Sequence, residues 1–360
     1  ADSLAYDLYG RAAELKRENL QVYQNSSTEQ SIAQSIAGMA YVQRKKFNYE
    51  GSCSLYSQAL EVEERALGYE NPVTAYTMNS IGCVRSEEGN YEAAMVAFAR
   101  ALKLKQNALG PDHVSTADTI VSMAHVKWKQ KKYKGAVEFY MWAFGITEKA
   151  LGPEHLDSVN TLHSMANVLS DAGRFQEALE LYGRAHRAKQ KTLDRPGVEH
   201  ESTAQTMEKI GEVYVKQGKL VEAEDLLHRA LKIKVDRLGS DHPSLGSTIK
   251  CLGYAHFKGG KQEEALAYLT EAAKIMEKDT RRPCDPSTAL TLCTIGWLTF
   301  RKNEVDEALQ LFKQALEARE KSAPKSQPEG TSGGEELSQI SMTMNNMGWA
   351  KVRDGNLEEA

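Results

Sequence analysis

The chain has 360 residues, 41% of them hydrophobic and 26% charged, with a net charge of −4 and a mean hydropathy of −0.51. That balance excludes the strong basic bias of a nucleic-acid or anionic-surface binder, and no run of about 18 apolar residues could cross a bilayer. Five cysteines (Cys53, Cys83, Cys251, Cys284, Cys293) form no CxxC pair, so neither a disulfide framework nor a zinc site is expected.

In chain order, residues 1–28 are predicted to hold the second helix of an incomplete repeat, with Tyr9, Arg11 and Ala12 matching Tyr182, Arg184 and Ala185. Seven helix pairs are predicted across 29–322. The residues opening the second helix of each unit are Tyr49, Tyr91, Tyr133, Phe175, Leu220, Gln262 and Val305, followed by Leu357, at intervals of 42 to 52 residues. Nine places before each stands a small residue: Ala40, Gly82, Ala124, Ala166, Gly211, Gly253, Gly296 and Gly348. Each second helix then carries a small, large, small stripe, as in Ala94, Phe98, Ala101 or Ala308, Phe312, Ala315. Steps of four and three put these on one helical face, and only stacking on neighbouring repeats buries such faces.

Glycines in the turns after first helices (Gly89, Gly173, Gly218, Gly260, Gly355) predict left-handed caps. Lys103, Lys105, Lys189, Lys232 and Lys234 close the second helices and are read as complements to the helix dipole. Residues 323–335 are predicted as a flexible Pro/Gly/Ser-rich loop, and 336–360 as the start of an eighth, truncated repeat. The chain opens at Ala1 and stops inside a helical pattern, as expected of a piece of something longer.

This pattern resembles the tetratricopeptide repeat (TPR) family over nearly the whole chain. The unit of 42 residues, and junctions such as Leu109-Gly110-Pro111-Asp112-His113 and Leu238-Gly239-Ser240-Asp241-His242-Pro243, are similar to the kinesin light chain subtype. The resemblance implies an all-α fold, a right-handed α-α superhelix or TPR solenoid, whose first helices line a concave groove. Two departures matter. The Lys and Asn of the chaperone-tail clamp are replaced by pairs such as Ala37 with Tyr41 and Asn79 with Cys83. Only Asn345 and Asn346 approach the twin-asparagine signature of kinesin light chains.

No catalytic function is expected, since no GxSxG, Walker loop or HExxH occurs and His163 and His186 lack partners at convincing offsets. The recurring His113, His155, His200 and His242 stand one repeat apart, about 10 Å by helix spacing, too far to share a metal. Each is predicted to hydrogen-bond within its own turn or to the next. No cofactor is implied.

The positions one and four places after the small residue point into the groove in this family. Aromatics crowd them in the last three repeats, with cations one place further on. The candidate partner-binding residues are Tyr254, Phe257, Lys258, Trp297, Phe300, Arg301, Asn345, Trp349 and Arg353, with Tyr254, Trp297 and Trp349 expected to form a ladder. They suit an extended or helical acidic peptide with large apolar side chains. The alternative is that the aromatics fill the inner side of a tightly wound superhelix. The function expected is a non-catalytic adaptor or scaffold binding a partner protein segment. Its rival is a constitutive structural subunit of a large multiprotein assembly. Neither nucleic acid nor membrane insertion is expected, and reduced thiols favour the cytoplasm or an organelle stroma or matrix.

Overall fold

A computed structural model describes the backbone over residues 2–22, 26–194, 199–278, 286–322 and 333–353, and the side chains over 3–16, 27–194, 199–278, 287–320 and 340–351. Among the described residues there are sixteen α-helices and no strand. α1 (Asp2–Val22) precedes three hairpins: α2 (Ser26–Lys45) with α3 (Tyr49–Leu67), α4 (Pro72–Glu88) with α5 (Tyr91–Leu109), and α6 (Val114–Lys129) with α7 (Tyr133–Leu151). Then come α8 (Leu156–Asp171), α9 (Phe175–Leu193) and three further hairpins, α10 (Glu201–Gln217) with α11 (Leu220–Leu238), α12 (Leu245–Lys258) with α13 (Gln262–Glu277), and α14 (Pro286–Arg301) with α15 (Val305–Ser322). The last helix is α16 (Gly333–Arg353). The chain divides inside α8 into two compact units, Ala1–Val168 and Leu169–Ala360.

Local chemistry sets these boundaries. Second helices α3, α5, α7, α9, α11, α13 and α15 begin at the residues selected by counting the repeat, while Leu357 and Gly355 lie outside the described residues. Gly89 and Gly218 end α4 and α10 with φ of 90° and 78°, a conformation that strains any residue with a Cβ. The turn histidines act as helix caps: Nδ1 of His113 accepts from the Ser115 N–H at 3.1 Å, and Nδ1 of His200 from the Ser202 N–H at 3.1 Å. His155 and His242 repeat the contact with Asp157 and Ser244 at 3.3 and 3.2 Å, so all four hydrogen-bond within their own turns.

In the hairpins α4–α5, α10–α11, α12–α13 and α14–α15 the small residue of the first helix receives the large residue of the second. A Cβ on Gly82 would lie 2.6 Å from the Phe98 ring, and one on Gly211 would lie 2.7 Å from Leu227. Phe98 and Leu227 are fully buried there, each worth about 1.5–3 kcal/mol of burial.

The structure corrects the reading of three lysines. Lys105, Lys189 and Lys234 are buried, and they serve the next helix rather than the dipole of their own. Lys105 Nζ donates to the Ser115 carbonyl at 2.9 Å and sits 4.8 Å over the Tyr76 ring. Lys189 Nζ donates to Thr206 Oγ1 at 3.3 Å. Lys234 Nζ donates to the Ser244 carbonyl at 3.1 Å, to Thr248 Oγ1 at 2.9 Å and to the Glu208 carboxylate. Burial pushes the Lys105 and Lys189 ammonium groups below the usual lysine range. Lys103 and Lys232 stay exposed, as the dipole reading requires.

Candidate functional site

The candidate residues lie on first helices α12, α14 and α16 of the second unit. Their direction follows from the helix period. Gly296 turns inward, where a Cβ would come within 2.9 Å of Phe312, and Leu298 is buried in a cluster with Leu269 and Ile295. The residue between them must leave the helix toward solvent, and Trp297 is 38% exposed. Ala350 is likewise buried against Phe312, so Trp349 leaves α16 on the corresponding side and is 75% exposed.

Three candidates come together. The Phe257 ring meets the Trp297 ring edge to face at 5.9 Å and 85°, and the Arg301 guanidinium carbon stands 4.8 Å from the Trp297 ring centroid. Arg301 is one helical turn after Trp297, so α14 itself supplies this cation–π contact, worth about 0.5–1 kcal/mol at an exposed site. Phe257 also packs against the Ala265, Leu269, Ile295 and Leu298 cluster, which fixes the Trp297 ring from the neighbouring repeat.

Other candidates are placed differently. Tyr254 is half-buried between two core clusters, one containing Val215 and Leu227 and the other Leu269 and Ile295. Its hydroxyl is buried without a hydrogen bond, and burial raises its pKa although Thr294 and Thr291 lie close. Tyr254 is therefore a packing residue, which corrects the first rung of the expected ladder. Phe300 is half-buried against Phe312, Ala350 and Met347. Lys258 is exposed, but its Nζ donates to the Val215 carbonyl at 3.0 Å and so ties α12 to the end of α10. Asn345 is exposed on α16, and the side chain of Arg353 lies outside the described residues.

Earlier first helices carry charges that are answered internally. Glu212, at the register of Trp297, accepts from Lys209 at 2.9 Å and lies 3.3 Å from Lys216, which also reaches Asp171 at 3.5 Å. Burial opposes the Glu212 charge, but Lys209 and Lys216 outweigh it and hold the carboxyl down to about 2. In the first unit, Arg44 donates to both Glu87 oxygens at 2.8 and 2.6 Å. Among the described residues no group of three or more His, Cys, Asp or Glu could hold a metal, and no helix is long and apolar enough to cross a membrane.

Family models described as tetratricopeptide repeat match residues 30–107, 115–191, 202–278 and 288–329. The chain belongs to the tetratricopeptide repeat family. No curated protein matches it. Among solved structures, a tetratricopeptide repeat protein from Parabacteroides merdae is similar at 13% identity and a TM-score of 0.56, covering 87% of this chain and 99% of that one. The Rap conjugation gene regulator of plasmid pLS20, solved with the Phr* peptide, is 13% identical with a TM-score of 0.56, over 82% of this chain and 76% of that one. Kinesin light chain TPR-like repeats from Podosopora anserina are 23% identical with a TM-score of 0.48, over 59% of this chain and 99% of that one. The first two likenesses concern the fold.

Proposed function

We propose that this tetratricopeptide chain is a non-catalytic adaptor that captures an acidic, apolar segment of a partner protein on the first-helix wall of its second unit. The observation that carries the reading is Trp297: an exposed indole held between the Phe257 edge and the Arg301 guanidinium. A partly exposed, pre-oriented tryptophan beside a cation is the kind of anchor that dominates interface energies. Trp349 extends the same surface, while Tyr254 and Phe300 support it from beneath. Cys53, Cys83, Cys251 and Cys293 are free thiols, which supports residence in a reducing compartment.

Photo-crosslinking from position 297 in native extract identifies the partner, and Trp297→Ala tests the anchor. The variant is expected to weaken binding by about 1–3 kcal/mol with thermal melting unchanged. A loss of several kcal/mol in stability would make Trp297 a packing residue and remove the proposal. Unchanged binding and unchanged stability would move the interface to another face, in favour of a constitutive structural subunit.

A further inference from the structure

A second candidate surface lies on the first unit, on residues distinct from those of that wall. Helix α7 exposes Met141 to 60% and Trp142 to 43%. The repeat supplies its own control for this pair. The same two places hold Ser57 and Gln58 in α3, Ala99 and Arg100 in α5, His228 and Arg229 in α11, and small or polar residues in α9, α13 and α15 as well. The fold therefore does not require large apolar side chains here, and exposing them in water is unfavourable. Nor is Trp142 loose: its ring stacks on Phe139 at 6.4 Å and 25°, and Phe139 packs against the core cluster of Ile120, Met123 and Ile146. The indole is held ready.

An independent departure from the repeat occurs at the start of the same helix. Lys127, Lys129, Lys131, Lys132 and Lys134 crowd one turn of a chain whose net charge is −4. Lys131 adopts φ 58°, a left-handed place that Gly89 and Gly218 fill in two other repeats and Phe47 and Asn303 in two more. Lys132 occupies the N-cap of α7 without a side-chain hydrogen bond, as Arg174, Lys219 and Lys261 do in α9, α11 and α13, whereas Asn48 and Asn90 cap α3 and α5. A side chain at positive φ and a cation at a helix N-terminus are each locally unfavourable, and what sets this turn apart from the others is that five of its eight residues from 127 to 134 are lysine. Lys134, Met141, Trp142 and Gly145 then follow at spacings of seven, one and three residues, all exposed, which places them on one stripe of α7.

We infer that this stripe docks an acidic amphipathic segment of another protein, its apolar side chains on Met141 and Trp142 and its carboxylates toward Lys131, Lys132 and Lys134. A second copy of the chain fits less well, because its stripe offers two exposed carboxylates, Glu138 and Glu148, set among lysines that would meet the lysines of its twin. A nucleic acid or anionic membrane would use the lysines but needs a wider basic surface, and the bases or lipid would have to find Met141 and Trp142 beside a chain that is acidic overall.

The test uses the full chain and a fluorescent helical peptide of about sixteen residues, with leucines on one face and glutamates on the other. Poly-glutamate of equal length, phosphatidylserine vesicles and a single-stranded oligonucleotide serve as competitors. Trp142→Arg, which copies α5, is expected to weaken the peptide at least tenfold without changing the melt. Lys131→Gly with Lys132→Asn, which copies Gly89 and Asn90, should raise the melting temperature while weakening the peptide several-fold at low salt. All of these are measured in the Trp297→Ala background, which removes the anchor that the wall would offer the same peptide, so failure here is distinguishable from failure of the wall. The inference is overturned if the peptide does not bind, if Trp142→Arg binds it equally well, if vesicles or oligonucleotide displace it more effectively than poly-glutamate, or if Trp142→Arg instead abolishes a dimer seen by sedimentation.

Discussion

Lys234 and Arg301 are both cations near the end of a helix in the second unit, yet one is sealed between repeats and the other lies open on the first-helix wall. Lys234 is met by a carboxylate, a hydroxyl and a carbonyl. Arg301 is exposed and leans on an indole of its own helix. The difference lies in what the neighbouring helix presents. The last turn of a second helix abuts the first turn of the next first helix, whose hydroxyls and carbonyls receive the ammonium. On the wall, among the described residues, no following helix is bonded to Arg301, and its charge stays exposed.

The comparison is broken most severely by Lys234→Met. Glu208 is buried, and it would keep only the Ser247 and Thr248 hydroxyls as donors. The loss is expected to be about 3–5 kcal/mol by urea unfolding, as for a buried charge left without its counter-ion. Removing the carboxylate too, as Lys234→Met with Glu208→Leu, should recover most of it. Lys105→Met is the control: Lys105 has a carbonyl and the Tyr76 ring but no bonded carboxylate, and burial already lowers its pKa. It should cost about 1 kcal/mol or less. Equal losses at the two sites would show that the carboxylate is not what distinguishes them.

Trp297→Ala comes next in size, and its effect belongs to binding rather than melting. Glu212 sharpens the contrast along the wall itself, since it holds the same register as Trp297 but is answered by Lys209 and Lys216. Its folded pKa of about 2 lies below the unfolded carboxylate value of about 4.3. The stabilisation is therefore present in full above roughly pH 5 and is lost as the pH falls toward 2. Urea unfolding at pH 7 should separate the protein from Glu212→Gln by about 1 kcal/mol at most, because the pair is partly solvated. At pH 3 that gap should narrow. A gap independent of pH would mean that packing, not charge, carries the contribution.

The helix starts and turn caps were legible because they repeat at fixed offsets. Another signal at a fixed offset went unread. Five places before each small residue stand Ser35, Thr77, Thr119, Thr161, Thr206, Thr248, Thr291 and Thr343, every one buried. Counting only size and apolarity passes over these hydroxyls, and with them the cations that Ser35, Thr206, Thr248 and Thr343 receive. On the wall, register gives direction but not depth. Trp297 and Trp349 emerge as the offset predicts, whereas Tyr254 leaves its helix at the same angle and is covered by the clusters around Leu227 and Leu269. Met141 and Trp142 escaped notice because they precede Ala143, a member of the buried stripe, and periodicity alone does not give their exposure.

The smallest expected effect is at Arg301. Arg301→Glu removes the cation–π contact with Trp297 and places a carboxylate where the proposed partner brings its own. Because the side chain is exposed, the melting temperature should not move, and binding should weaken by about 1 kcal/mol or less at low ionic strength. Most of that loss should lie in the association rate and fade as salt shortens the screening length to about 3 Å near 1 M. Arg301→Lys keeps the charge but loses the planar group that stacks on the indole, so it should retain the salt dependence while losing part of the affinity. If Arg301→Glu weakened binding equally at low and high salt, Arg301 would act by orienting the Trp297 ring. The indole fluorescence of the unbound protein should then shift in Arg301→Lys as well.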